Sequence, residues 1–370
     1  MKKLILILLV SCILCAPVMA AAEEPIAPKT SAEAMILIHP ASGKVLASKN
    51  ASEEKLIAST TKLMTALVAV ENGDLSAAVK ILPEWAAVEG SSMYLRPGES
   101  YTLYELLQGL MLASGNDAAL ALACAVAGDE ESFVAMMNAQ CEAMGLTHTH
   151  FSNPHGLDAD DHHSSAADLA AIMSRALENE TLREIMGTRS CSIHGQVFEN
   201  HNKLLRQCPG VNGGKTGYTT AAGRCLVTSC QRDGMELVCV TLSDPNDWRD
   251  HIALYDWAFG AFSCISIDAG ETYAEIPVIS GSQTSLDVTT AEDLSLCLPR
   301  DTSVSLRCDV PAFAFAPLKS GHTVGRLTVY ADGLPAAELP LIWADSAAMQ
   351  VTAGKVIHDV IDRFIGVYYI

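Results

Sequence analysis

Ser59-Thr60-Thr61-Lys62, running straight into Leu63-Met64-Thr65-Ala66-Leu67-Val68-Ala69-Val70, is the stretch on which the reading of this chain turns. The apolar run has helix composition, and Gly73 supplies a stop after it. A serine and a lysine three positions apart at the mouth of a helix share one face. A serine hydroxyl is a weak nucleophile at neutral pH and needs a base within hydrogen-bond reach. Lysine serves as that base when burial or a second cation lowers its pKa. A helix N-terminus adds the positive end of its dipole, and the Ser59 amide can help hold an oxyanion. Alone, the four-residue pattern carries little weight, because an N-cap serine beside a solvated lysine is spelled the same way.

Two further motifs change that. Thr102-Leu103-Tyr104-Glu105 is a capping box opening a helix whose apolar face is Leu103, Leu106, Leu107, Leu110 and Met111. This helix breaks at Ser114-Gly115-Asn116, and another runs from about Asp117 to Ala127. The tripeptide reads either as an N-cap turn or as a polar insert in which Ser114 passes a proton and Asn116 fixes Lys62 and a substrate amide. The third motif, Lys215-Thr216-Gly217, lies in Val211-Asn212-Gly213-Gly214-Lys215-Thr216-Gly217-Tyr218, ahead of strand-like runs at Cys225–Cys230 and Glu236–Leu242. Glycines around the lysine suit an edge strand whose backbone approaches a ligand, with Lys215 and Thr216 offering a cation and a hydroxyl to a carboxylate. A plain glycine-rich hairpin is the competing reading. A phosphate-binding P-loop is set aside, since Pro209 stands where its first glycine belongs and no helix follows the lysine.

With all three motifs in this order, the chain resembles the D-alanyl-D-alanine carboxypeptidases of the low-molecular-mass penicillin-binding proteins, serine peptidase family S11, whose transpeptidase-like fold is shared with class A β-lactamases. Other phrases extend the match: Ile38–Leu46, Gly90–Leu95 with Pro97-Gly98-Glu99, Asn153-Pro154-His155-Gly156-Leu157, His163–Asp168 and Asn200-His201-Asn202-Lys203-Leu204-Leu205. The match spans about residues 30 to 262 and weakens beyond. It implies that Ser59 is the acylated nucleophile and Lys62 its base, that Ser114 and Asn116 complete the proton path and position substrate, and that Lys215 and Thr216 bind a terminal carboxylate. Gly217 completes the motif, and the amides of Ser59 and Tyr218 frame the oxyanion hole. Arg249, in Asn246-Asp247-Trp248-Arg249-Asp250, matches an arginine expected to add to carboxylate binding. No metal or organic cofactor is implied.

The 370 residues accommodate a large domain and a smaller one. Met1-Lys2-Lys3, the apolar run Leu4–Ala16 and Val18-Met19-Ala20 read as a secretory signal over residues 1–22, so the chain is expected to be exported to the cell envelope. A lipoprotein-like Leu9-Val10-Ser11-Cys12 is discounted, because the apolar stretch continues past it. Of twelve cysteines, Cys12 and Cys15 leave with the signal, and the other ten show no C-x-x-C pair. That scatter suits buried small hydrophobes better than a disulfide framework. A formal net charge of −19 makes nucleic acid an improbable partner. His148, His150, His155, His162 and His163 lie near Asp158, Asp160 and Asp161, which raises a zinc peptidase as the rival class; the stretch has loop composition and no His-Glu-x-x-His helix.

The expected architecture is α+β, within the broad α/β class: a β-lactamase/transpeptidase-like catalytic domain over residues 30–265, a small β-sandwich-like domain over 270–344 and a terminal amphipathic helix over 346–370. Period-two segments at Thr272–Ile279, Ser303–Val310 and Thr323–Tyr330 support the second part. In the tail, Val356, Ile357, Val360, Ile361, Phe364 and Ile365 fall on one helical face, which permits an in-plane attachment to a membrane surface; packing against the β domain competes with it.

The resemblance implies hydrolysis of the terminal D-alanine from peptidoglycan pentapeptide stems through an acyl-enzyme on Ser59, with β-lactams as covalent inhibitors. A catalytically silent penicillin-binding scaffold, a D,D-endopeptidase and a weak β-lactamase are the alternatives. Class A lactamases carry a deacylating glutamate on a loop ahead of the third motif, whereas the corresponding stretch here is Phe151-Ser152-Asn153-Pro154-His155-Gly156-Leu157. Acylation by penicillin is therefore expected to be followed by slow release, giving one burst equivalent per enzyme in a stopped-flow assay; hydrolysis sustained over many cycles would contradict this.

Overall fold

The computed structural model describes residues 25–350. The expected signal segment and residues 351–370 of the expected terminal helix lie outside them. The catalytic part runs β1 (Ala34–His39), β2 (Lys44–Lys49), a 3-10 turn at Ala58–Thr61, α1 (Lys62–Asn72), β3 (Ala78–Lys80), β4 (Ser100–Thr102), α2 (Leu103–Leu112), α3 (Asn116–Ala127) and α4 (Glu130–Met144). It continues through α5 (Ala166–Leu177), α6 (Glu180–Gly187), β5 (Ser190–Ile193), β6 (Gln196–Glu199), α7 (Leu204–Gln207), β7 (Val211–Thr219), β8 (Gly223–Arg232), β9 (Met235–Leu242) and α8 (Asp247–Ala261).

Five strands form one antiparallel sheet in the order β2-β1-β9-β8-β7, which leaves β7 on an edge. The near-continuous apolar runs of β1, β8 and β9 follow from burial on both faces. Ala34, Ile36, Cys225, Val227, Val238 and Val240 point into a core shared with α1, α2, α3, α5 and α6. Their alternates Met35, Leu37, Leu226, Leu237 and Cys239 point into a second core with Leu254, Tyr255, Ala258 and Phe259 of α8. Six cysteines, Cys141, Cys208, Cys225, Cys230, Cys239 and Cys297, are buried in these two cores as free thiols.

Helix α1 is apolar all round because it runs through the first core: Leu63, Met64, Ala66, Leu67, Val68 and Ala69 are each buried. Gly73 ends it in an extended conformation. The capping box at α2 is complete, with Glu105 N–H donating to Thr102 Oγ1 at 3.1 Å and Thr102 N–H to Glu105 Oε2 at 2.7 Å. At α3 the N-cap is Gly115, so neither Asn116 nor Asp117 caps the helix as the turn reading would have it. Buried Asp117 instead accepts hydrogen bonds from Ser92 Oγ at 2.6 Å, Met93 N at 3.0 Å, Leu95 N at 3.0 Å and Ala118 N at 2.9 Å. One carboxylate thereby fastens the 91–95 segment over the start of α3.

Helix α8 passes directly into β10 (Phe262–Ile267), so the β-rich part begins ahead of the expected start at 270. It continues with β11 (Thr272–Ile279), β12 (Ser285–Thr290), β13 (Leu294–Pro299), β14 (Val304–Asp309), β15 (Ala314–Phe315), β16 (Thr323–Ala331) and β17 (Leu334–Trp343). A six-stranded sheet, β14-β16-β17-β12-β11-β15, packs with the β10–β13 pair around Ile276, Val288, Leu327, Val329 and Leu341. The expected helix does not begin at Ser346. Ala347 bridges to Leu318 and Met349 to Gly281, which ties residues 346–350 to the β domain.

Replacing Asp117 by alanine would leave the amides of Met93 and Leu95 buried without acceptors, at about 1–3 kcal/mol for each unsatisfied group. Urea unfolding of Asp117→Ala is expected to show a loss of about 3 kcal/mol against wild type.

Candidate active site

The nucleophile sits in a turn braced from several sides. Ala58, just before Ser59, is held at φ 47°, a left-handed conformation rare for residues with a Cβ. Thr61 Oγ1 donates to Ala58 O at 2.8 Å, and Thr60 Oγ1 donates to Ile57 O at 2.7 Å. His162 Nε2 lies 2.7 Å from Thr61 Oγ1, and its Nδ1 accepts from Ser152 N–H at 3.1 Å. Gly156, at φ 88°, packs so closely that a Cβ there would fall on the Ala58 carbonyl. Ser59 itself remains half-buried and open to a groove.

Lys62 is fully buried one turn further on. Its Nζ contacts Ser59 Oγ at 3.0 Å, Asn116 Oδ1 at 2.7 Å and the His155 carbonyl at 2.5 Å. Asn116 Nδ2 donates to Glu89 O at 2.6 Å, which fixes Oδ1 as the atom facing the lysine. Two of the three partners can only accept. A neutral amine meets them with its two N–H bonds and directs its lone pair at Ser59 Oγ. Desolvation, and then the Lys215 cation, push the Lys62 ammonium well below its ordinary range, with Asp117 opposing them. The His155 carbonyl is set by its own loop: Asn153 Oδ1 accepts from Gly156 N–H at 2.7 Å and His155 N–H at 3.2 Å, and Thr65 Oγ1 donates to Pro154 O at 2.5 Å. The three partners of the Lys62 amine are a hydroxyl, a side-chain amide oxygen and a backbone carbonyl.

Ser114 takes φ 58° between α2 and α3, and its Oγ accepts from Lys215 Nζ at 2.9 Å. Lys215, on β7, is also buried; it donates to Thr216 O at 2.8 Å, and burial lowers its pKa to about 7. Gly217 permits the sheet edge to lie against the nucleophile turn. A Cβ there would stand 2.9 Å from Ile57 O and 3.1 Å from the amides of Ser59 and Thr60. Ser59, Lys62, Ser114, Asn116, Lys215, Thr216, Gly217 and the exposed Tyr218 are thus brought to one place by three separate segments.

Arg249 is not among them. It is exposed on α8 and absent from the residues lining the groove. The arginine that does line it is Arg224, opposite Tyr218 across the β7–β8 register. Asp247 holds Arg224 through three N–H···O contacts of 2.9–3.0 Å, and the guanidinium lies over Trp248 at 5.5 Å. The groove, about 310 Å³, is completed by Ser91, His201, Lys203 and Trp248. Counting back from the hairpin turn to the residue facing Tyr218 would have found Arg224. In the histidine-rich stretch His148 and His163 face Glu54, and His150 and His163 face Asp161, but among the described residues no three His, Cys, Asp or Glu side chains are grouped to hold a metal ion.

Comparison with known proteins fits this geometry. Residues 19–246 match the sequence profile of a family described as D-alanyl-D-alanine carboxypeptidase, and residues 266–347 match the C-terminal domain of penicillin-binding protein 5. The chain belongs to the D-alanyl-D-alanine carboxypeptidase family. It is therefore a serine peptidase by family. D-alanyl-D-alanine carboxypeptidase DacF of Bacillus subtilis is 32% identical over 363 residues, covering 92% of this chain and 93% of the relative. DacC of Escherichia coli is 35% identical, covering 88% of this chain and 87% of the relative. Penicillin-binding protein 5 of Haemophilus influenzae superposes with a TM-score of 0.74 at 27% identity, covering 87% of this chain and 99% of that one. Family membership and fold agree with the expected transpeptidase-like catalytic domain followed by a β-rich domain.

Gly217→Ala would push β7 off the nucleophile turn by a few tenths of an ångström. A misplacement of this size is expected to slow acylation by fluorescent penicillin about tenfold.

Proposed function

We propose that this chain removes the terminal D-alanine from peptidoglycan pentapeptide stems by serine acyl transfer, and that the observation carrying this reading is the Lys62 amine seated between two obligate acceptors and Ser59 Oγ. Ser59 Oγ attacks the carbonyl of the penultimate D-alanine as its proton passes to Lys62. The backbone amides of Ser59 and Tyr218 face the developing oxyanion. Lys62 passes that proton through Ser114, poised by Lys215, to the departing amine, and water then releases the shortened peptide. Asn116 holds Lys62 in register and faces the substrate amide.

The terminal carboxylate is bound by Lys215 and Thr216, with Arg224 in the place expected of Arg249. Asp247 and Trp248 hold the Arg224 guanidinium in position, so little side-chain freedom is lost on binding. β-Lactams enter the same groove as carboxylate-bearing acylating agents. The assembled constellation argues against a silent scaffold. The family and the signal segment read over residues 1–22 support work outside the cytoplasmic membrane; among the described residues no helix is long and apolar enough to cross a membrane. Residues 351–370 remain the segment through which we propose peripheral contact with its surface.

Ser59→Ala and Lys62→Ala are each expected to abolish D-alanine release from a Lys-D-Ala-D-Ala peptide, with losses of about 10⁶-fold if the two act as a unit. The pH profile of kcat/KM has two limbs. Activity falls at low pH as Lys62 becomes an ammonium, and falls as pH rises through about 7 because Lys215 loses the charge that grips the carboxylate. Lys215→Arg should move the alkaline limb upward. Arg224→Ala should raise KM about tenfold, while Arg249→Ala leaves it unchanged.

A further inference from the structure

Cys208, at the end of α7, and Cys230, near the end of β8, converge on one carbonyl. Cys208 Sγ is 3.9 Å and Cys230 Sγ 3.5 Å from Pro209 O. The short turn Cys208-Pro209-Gly210-Val211, closed by Val211 N–H donating to Cys208 O at 3.2 Å, brings the first cysteine beside β8, where Val211 is the register partner of Cys230. Arg232 completes the cluster. Its Nε donates to Pro209 O at 2.9 Å and its Nη2 to Cys208 Sγ at 3.3 Å, while Asp256 at 2.8 Å and the face of Phe259 at 4.8 Å hold the guanidinium in place.

We propose that Cys208 and Cys230 are a thiol–disulfide exchange site, oxidised to an intramolecular disulfide by a low-molecular-mass disulfide outside the cell membrane. The steps balance as follows. Cys208 thiolate attacks one sulfur of the small disulfide and expels one thiolate; Cys230, deprotonated, then attacks the Cys208 sulfur and expels the second. Two electrons and two protons pass from the cysteine pair to the small disulfide, which leaves as two thiols. The roles of attacking and resolving thiol follow from the surroundings. Arg232 Nη2 donates to Cys208 Sγ at 3.3 Å and favours its thiolate, whereas Cys230 is fully buried, which disfavours its own. Although both cysteines are buried, the Pro209-Gly210 turn over them is exposed, so opening that turn is enough to admit the reagent.

The position of the bridge gives it a consequence. It would tie the entrance of β7 to β8, and β7 is the edge strand that carries Lys215, Thr216 and Gly217. Another pair, Cys264 and Cys297, is directly opposed in the β10–β13 register but turns its sulfurs to different partners: Ser295 Oγ at 3.1 Å and Met235 Sδ at 3.9 Å. It serves as an internal control.

The test is a non-reducing tryptic map of the full-length chain after incubation with oxidised glutathione. The expected result is the 207–215 peptide joined to the 225–232 peptide, with fragmentation placing the link at 208–230. It should disappear on reduction and in Cys208→Ser or Cys230→Ser. Oxidation should raise the wild-type Tm by about 5 °C and leave that of Cys208→Ser unmoved. Cys208 and Cys230 remaining alkylatable after oxidation, or a 264–297 link forming in their place, would overturn the proposal.

Discussion

The structure depends on keeping one amine dry. Lys62 has no contact with solvent, and the cost of its burial is offset by three acceptors delivered from three parts of the chain: Ser59 Oγ from its own turn, Asn116 Oδ1 from the start of α3 and the His155 carbonyl from a loop. Each acceptor has its own support. Asn116 is turned the right way by Glu89 O, the His155 carbonyl by Asn153 and Thr65, and the Ser59 turn by the hydroxyls of Thr60 and Thr61. Removing a support therefore acts on the base through the acceptor it holds.

A second buried cation, Lys215, makes the arrangement tense. Its charge lowers the pKa of Lys62, the direction a general base needs, and its own burial draws it toward neutrality. Two lysines close together in an apolar setting disfavour simultaneous protonation. An arriving carboxylate relieves that tension by favouring the charged form of Lys215, so substrate binding and the state of the base are linked through charge. Left-handed backbone at Ala58 and Ser114 marks the same two places where a hydroxyl must be aimed rather than merely packed.

Local chemistry made much of this legible. Helix α1 and the capping box of α2 follow from periodicity and from Thr102 and Glu105, and the edge position of β7 follows from its glycines. The three motifs named the groups that meet because each is a short segment with a distinctive composition. What the sequence hid depends on tertiary register. Arg249 has the right neighbours in the chain but faces solvent, whereas Arg224 reaches the groove only because β8 pairs with β7 so that it stands opposite Tyr218. Likewise, the contribution of His155 is a backbone carbonyl, which its side chain gives no hint of, and the hold of Asp117 on the 91–95 segment joins residues more than twenty positions apart. At Ser346–Gln350, bridges to Leu318 and Gly281 override the helical pattern that begins further along.

The 2.9 Å bond between Ser114 and Lys215 spans a seam, since one partner belongs to the helical half and the other to the rim of the sheet. Sliding the two halves past each other by a fraction of that length would break the relay and loosen the anion grip in a single movement. A drug-resistant descendant that excludes antibiotic by shifting this joint would forfeit wall trimming at the same stroke. The outer wall of the cleft, where the Tyr218 side chain is exposed, can change without disturbing the joint.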